Sequence, residues 1–247
     1  RAFFGSRDFI LVNSGSAANL LMVAALCAES VEGHLNDGDE VVTVALGFPT
    51  TLAPIVQHRL VPVFVDVSRE TYNPDPAAVE AAIGPKTRAV FLPHPMGFPF
   101  DAEAVAEVCR RRELWFIEDG ADALGATFNG KLVGTFGAMS SLSHFPAHHT
   151  TGGEGGSVVV NSPKFPVIAR SIKDWGRSCY CAPGLSNTCG KRFDWEWPLL
   201  PSHTDHKYTY TNVGYNLKAT DMQAAVLCAQ ADKIDFIVRR RRENYRR

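Results

Sequence analysis

Ala89-Val90-Phe91-Leu92-Pro93 and Leu114-Trp115-Phe116-Ile117-Glu118 enclose Asp101-Ala102-Glu103-Ala104-Val105-Ala106-Glu107-Val108-Cys109-Arg110-Arg111-Arg112. The outer two runs are short, apolar and bounded by turn residues, so each reads as a buried strand. The middle run reads as a helix. Strands spaced by helices predict an α/β domain with a mainly parallel sheet.

The same alternation extends in both directions. Residues 16–28, rich in Ala and Leu after Gly15, predict a helix opening from a tight turn. Residues 41–46 predict a strand, residues 60–67 another, and residues 75–83 a helix with Asp75 as its cap. Further strands are expected at 138–143 and 157–161, and a helix at 163–175. Residues 176–215 break the pattern. They are rich in Gly, Pro, Cys, Trp and Tyr and read as a long functional loop region. Residues 219–238 predict one long helix ending in a solvated basic tail, Arg239 to Arg242.

Composition sets the outer limits. The chain has 247 residues, 45% of them hydrophobic and 21% charged, with a net charge of −1. That balance offers no basic field for nucleic acid or an anionic membrane. The longest apolar runs, such as residues 20–27, are too short to span a bilayer, and no secretion segment opens the chain. It begins at Arg1 and runs straight into Phe3-Phe4, so it is read as a fragment, cut at both ends, of a cytoplasmic protein. Of its six cysteines, Cys27, Cys109 and Cys228 sit in apolar helical patterns and are expected in the core. Cys179, Cys181 and Cys189 are clustered.

Ligands of parallel sheets bind at the carboxyl ends of the strands. Phe48, Asp119 and His148 all lie just after strands. Asn13-Ser14-Gly15-Ser16-Ala17-Ala18-Asn19 joins a strand to a helix start, where free N–H groups suit a phosphate. Asp119 can cap its turn, or pair with a cationic ligand group such as a pyridinium nitrogen. In Ser143-His144-Phe145-Pro146-Ala147-His148-His149-Thr150-Thr151-Gly152-Gly153-Glu154-Gly155-Gly156 three histidines fall within six residues. Pro146 and the glycines argue against the helix that a metal site with this spacing would use.

This last segment resembles the sugar aminotransferases of the DegT/DnrJ/StrS type, which have the aspartate-aminotransferase fold. Their motif runs from a serine, through four residues, to the cofactor lysine, and then to Glu-Gly-Gly. Ser143 stands at the serine position and His148 at the lysine position. Pro146-Ala147-His148-His149 is similar to the 3-dehydrase branch, whose enzymes make 3,6-dideoxyhexoses. Gly47-Phe48-Pro49-Thr50-Thr51, Asp174-Trp175-Gly176-Arg177, Asn187-Thr188-Cys189-Gly190-Lys191-Arg192-Phe193 and Asp205-His206-Lys207-Tyr208-Thr209-Tyr210 extend the likeness over essentially the whole chain.

The resemblance implies a pyridoxal-phosphate-dependent transferase of fold type I. Residues 1–200 would be its cofactor-binding large domain. Residues 201–247 would be a long helix leading into a small C-terminal domain, mostly missing. It implies Gly15 and Ser16 as the phosphate cradle, Ser143 as a further phosphate ligand, Phe48 stacked on the pyridine ring and Asp119 on the ring nitrogen. Asn216 would reach the phosphate of the other subunit in a homodimer.

Without a lysine the cofactor is expected as pyridoxamine 5'-phosphate, held non-covalently, with His148 as base. The implied reaction is C3 dehydration of a nucleotide-linked 4-keto-6-deoxyhexose, the CDP sugar first, in lipopolysaccharide and O-antigen biosynthesis. Cys179, Cys181 and Cys189 match three ligands of the [2Fe–2S] cluster found in one branch, which is served by an NADH-dependent iron–sulfur flavoprotein reductase. Ala121 stands where that branch has its fourth cysteine. Three rivals stay open: a cluster-free dehydratase of the same fold, a plain aminotransferase, and a catalytically inactive cofactor-binding homologue.

Overall fold

Hydrophobic burial organises the chain into three layers. The computed structural model describes residues 3–181 and 185–246. Its strands are β1 (Asp8–Val12), β2 (Glu40–Val44), β3 (Val61–Val65), β4 (Thr87–Pro93), β5 (Trp115–Asp119), β6 (Thr127–Phe128), β7 (Lys131–Leu132), β8 (Met139–Ser143) and β9 (Gly156–Val160). The helices are α1 (Gly15–Leu26), α2 (Pro49–Gln57), α3 (Pro76–Ala81), α4 (Ala102–Arg111), α5 (Pro166–Lys173), α6 (Asp221–Ala231) and α7 (Ile234–Tyr245).

Seven strands form one sheet in the order β1-β9-β8-β5-β4-β2-β3. β9 runs antiparallel to both its neighbours, and the other pairs are parallel. The expected mainly parallel sheet is therefore present. β6 and β7 make a separate small hairpin.

Alternation along β4 shows how both faces are filled. Ala89 and Phe91 pack with α1, α5 and Ile55 of α2 on one face. Val90 and Leu92 pack with Val79 of α3 and Val105 of α4 on the other. A strand covered on both sides needs apolar residues at every position, which is why its sequence reads as a continuous run. Asp75 caps α3 and Asp101 caps α4, each accepting a backbone N–H from its helix's first turn.

Two expectations need correction. The long C-terminal helix is two helices, parted at Asp232 and Lys233. The N–H of Lys233 bonds back to Gln230 O at 3.0 Å, a tightened last turn. Neither Gly nor Pro marks this break. Contacts distant in sequence fix the second helix, with Val238 against Gly125 and the Tyr245 ring 5.6 Å from Phe98. The basic run Arg239 to Arg242 lies inside α7 and is no tail. Cys228 was expected in the core and is exposed, because α6 buries none of its residues here. Cys109 is buried as expected, and burial pushes its thiol up to about 12.

Phe91 is fully buried at the centre of the sheet. Phe91→Ala in the full-length protein is expected to lower stability by about 3–5 kcal/mol, read by denaturant unfolding. A loss under about 1 kcal/mol would show that this core relaxes around the cavity.

Candidate active site

The site assembles where β5, β8, β2 and β1 end. Asp119 closes β5 and is 5% exposed. Each of its carboxylate oxygens accepts two hydrogen bonds. Oδ2 takes Asn19 Nδ2 of α1 at 2.8 Å and Thr51 Oγ1 of α2 at 2.7 Å. Oδ1 takes Ser141 Oγ of β8 and the Ala121 N–H, each at 3.1 Å. All four donors are neutral, and among the described residues no cationic side chain pairs with it. A buried carboxylate held this way is fixed in plane and suits a cationic ring nitrogen.

The donors tie Asp119 to the other expected residues. Asn19 is four residues after Gly15, Thr51 is three after Phe48, and Ser141 is two before Ser143. Ser14 caps α1 by accepting the Ala17 N–H at 3.0 Å. The next residues, Gly15 and Ser16, open a helix whose first N–H groups have no intrahelical partner. A Cβ on Gly15 would sit 2.7 Å from Ser143 Cβ, so the helix start and the end of β8 are pressed together. These residues fit an anionic phosphate. Phe48 is 72% exposed at the start of α2, which excludes simple core packing and leaves its ring face available. Asn216 is exposed and pairs with Asp174 by a backbone bridge, while Leu217 O accepts the Asn13 N–H beside the helix start.

His148 lies in the loop after β8. Its Nε2 is 3.0 Å from Asp122 Oδ1, and its Nδ1 is buried with no partner. The Asp122 carboxyl lies below the usual carboxylate range, the hydrogen bond with His148 being the largest cause. Asp122 is therefore ionised at neutral pH, and the pairing fails only as acid protonates it. Burial pushes His144 and His149 down to about 4, so both stay neutral near pH 7. His144 bridges Thr150 Oγ1 and Ser157 Oγ, a structural role inside the loop. His148 and Asp122 line a cavity of about 720 Å³ with Phe98, Arg241 and Tyr245.

Sequence reasoning missed Asn19, Thr51, Ser141 and Asp122. Asn19 left a trace as the one amide inside the apolar run of α1. Asp122 sat within the segment containing Asp119, but only the folded loop shows that it meets His148.

The three cysteines expected as [2Fe–2S] ligands are neighbours. The Cys179 and Cys181 side chains are hydrogen-bonded, and the Cys179 thiol is pushed up by burial first and then by Cys181 and Cys189 close by. Among the described residues no group of three or more His, Cys, Asp or Glu is arranged to hold a metal ion. The thiols also meet other protein groups. Cys181 Sγ accepts Thr188 Oγ1 at 3.0 Å, and Cys189 Sγ lies 3.4 Å from the Lys191 N–H and 3.3 Å from His206 Nε2. Ala121 supplies only its backbone N–H. Three thiols with alanine at the fourth position fall short of the four protein ligands this cluster takes, so the residues present do not fit it. The full-length protein is expected to hold well below about two irons per chain by elemental analysis, and a full complement would overturn this assignment.

Gly156 opens β9 directly behind the helix start. A Cβ there would lie 2.1 Å from Ser14 O. Gly156→Ala is expected to displace the Gly15 turn and weaken binding of a phosphate-bearing cofactor by more than about tenfold, by titration. Unchanged affinity would separate this turn from the cofactor phosphate.

The model of the DegT/DnrJ/EryC1/StrS aminotransferase family matches residues 1–247. The dTDP-4-dehydro-2,6-dideoxy-D-glucose 3-dehydratase of Saccharopolyspora spinosa is 51% identical over 246 residues, 99% of this chain and 53% of that protein. The lipopolysaccharide biosynthesis protein RfbH of Salmonella typhimurium is 48% identical, over 98% of this chain and 56% of that one. Among solved structures, E. coli GDP-4-keto-6-deoxy-D-mannose-3-dehydratase with bound hydrated PLP superimposes with a TM-score of 0.81 at 29% identity, covering 99% of this chain and 61% of that one. The chain thus spans little more than half the length of these relatives, and its fold is that of the PLP-dependent aminotransferases.

Proposed function

Because the chain belongs to the DegT/DnrJ/EryC1/StrS aminotransferase family, we propose that its full-length protein dehydrates a nucleotide-linked 4-keto-6-deoxyhexose at C3, using pyridoxamine 5'-phosphate. The observation that carries the reading is the loop after β8. From Ser143 to Gly156 it contains no lysine, and it presents His148 paired with Asp122. The 3-dehydratase names of relatives and the PLP bound to the E. coli enzyme support it.

When bound, the cofactor supplies a primary amine for the sugar's C4 ketone and a ring that accepts electrons. The protein's residues do the rest. Gly15, Ser16 and Ser143 would hold the phosphate, Phe48 would cover the ring face, and Asp119 would keep the ring nitrogen charged. His148 has no primary amine, so it cannot tether a cofactor aldehyde covalently as a lysine would. It can still move a proton. With Nε2 donating to Asp122, the tautomer able to accept a proton has its lone pair on the unpartnered Nδ1. That nitrogen would serve as the proton acceptor at C4′ of a bound cofactor, the role a general base plays when the sugar's C3 hydroxyl leaves. Loss of the lysine thereby favours elimination over amino transfer.

The reading includes a homodimer. Asn216 is exposed, close in sequence to Val213, 92% exposed, and Met222, 78% exposed. It also keeps residues 1–200 as the large domain, 201–247 as the lead into a second domain, and a cytoplasmic setting. The flavoprotein reductase depends on the cluster and is not part of it. The CDP sugar is the first substrate to test, beside its dTDP and GDP counterparts.

Borohydride treatment of the full-length holoenzyme is expected to leave no cofactor bonded to the chain; a reduced adduct on a lysine would refute the non-covalent reading. His148→Asn should retain cofactor and lose C4′ proton exchange by about 10²–10⁴-fold, as removal of a general base does. Unchanged exchange would mean another base. Asp119→Asn should slow elimination by more than about tenfold, or about 1.4 kcal/mol, and weaken cofactor binding. Equal turnover would remove Asp119 from the ring nitrogen.

A further inference from the structure

The loop that carries His148 is not held by its own strands alone. Its internal bonds include the His148 N–H to Phe145 O at 2.9 Å, the Gly152 N–H to His144 O at 3.2 Å and the His144 N–H to Gly155 O at 2.8 Å. The carbonyls of Ala147 and His148 find their partner 93 or more residues away. Arg241 Nη2, on α7, donates to Ala147 O at 2.9 Å and to His148 O at 3.2 Å. One nitrogen thus bridges two consecutive carbonyls, a geometry that the planar guanidinium provides and a lysine ammonium does not fix in direction.

α7 is itself anchored on the far side of the cavity. Arg242 Nη2 donates to Gly125 O at 2.8 Å, Val238 covers Gly125, and Tyr245 meets Phe98 edge-on. Gly125 has φ +80, and a Cβ there would lie 2.6 Å from a Val238 methyl, so this seat is shaped for α7. Asp122, which pairs with the His148 ring, is on the same cavity wall. His148 is therefore gripped twice, by Asp122 at the ring and by Arg241 at the backbone. The charged and titratable groups facing it are Asp122 from the turn after β5, His144 and His149 from its own loop, and Arg241 from α7.

We infer that Arg241 is a positioning residue for the base: its guanidinium clamps the Ala147–His148 backbone and so fixes where His148 Nδ1 points. The inference rests on the functional reading above for its kinetic consequence, but not for its geometry. Loss of Arg241 acts on the proton-transfer step and leaves binding in place.

The test uses Arg241→Ala and Arg241→Lys in the full-length enzyme. One arm measures kcat and KM for dehydration of the sugar nucleotide. The other measures the rate at which diethyl pyrocarbonate acylates His148 in substrate-free protein, read by mass spectrometry. For Arg241→Ala, kcat should fall by more than about tenfold with KM within about threefold, and added guanidinium ion should restore part of the loss. Arg241→Lys should fall between the two. His148 acylation should speed up at least about threefold as the loop loosens, with cofactor content unchanged. Wild-type kcat and wild-type acylation in Arg241→Ala would overturn the inference. So would a kcat loss that guanidinium does not restore while His148 reactivity stays the same, since that marks a general structural role. If the wild-type enzyme dehydrates no sugar nucleotide, the functional reading fails by itself, and the acylation arm still decides the clamp.

Discussion

The buried carboxylate of Asp119 is the constraint on which the site depends. A charge in the interior is costly unless its oxygens are satisfied. Here four donors from four places in the chain satisfy them: Asn19, Thr51, Ser141 and the Ala121 N–H. That requirement draws α1, α2 and β8 onto the end of β5. Once they converge, Gly15, Phe48 and Ser143 are in place as a consequence, because each lies within four residues of a donor. Removing the carboxylate would release three elements from their common centre.

Close backbone approach is the second constraint. Gly15 against Ser143 and Gly156 against Ser14 O leave no space for a side chain. They bring a helix start to the same strand ends as Asp119. The arrangement therefore brings a helix start and a buried carboxylate to neighbouring strand ends. That suits a ligand with a phosphate at one end and a protonated ring nitrogen at the other. The loop after β8 lies beside these strand ends, with Asp122 paired to the His148 ring and Arg241 of α7 bonded to its backbone.

Much of this was legible in the primary structure. The strand and helix order followed from apolar runs and caps, since a parallel sheet covered on both faces writes itself as uninterrupted apolar segments. The Ser143 to Gly156 segment revealed the absent lysine. The cysteine cluster misled in part: the resemblance implied a shared ligand set, and the fold does bring Cys179, Cys181 and Cys189 together, but it also pairs Cys181 with Thr188 and Cys189 with His206 and offers no fourth thiol at Ala121. Spacing carries no information about which donors a loop will bring to a thiol. The C-terminal helix misled for a related reason. Its break has no local signal, and the contacts of Val238 and Tyr245 impose it.

The sequence by itself determined the α/β architecture, the strand ends that bear the site, and the histidine in the lysine position. Those depend on periodicity and residue identity, which are local. Tertiary structure alone decided that Asp119 is held by Asn19, Thr51 and Ser141, that His148 meets Asp122, and that Arg241 bonds the Ala147 and His148 carbonyls. These contacts join residues separated by up to 100 positions. Their energy comes from satisfying buried polar groups, and which donor meets which acceptor is settled only when the layers pack.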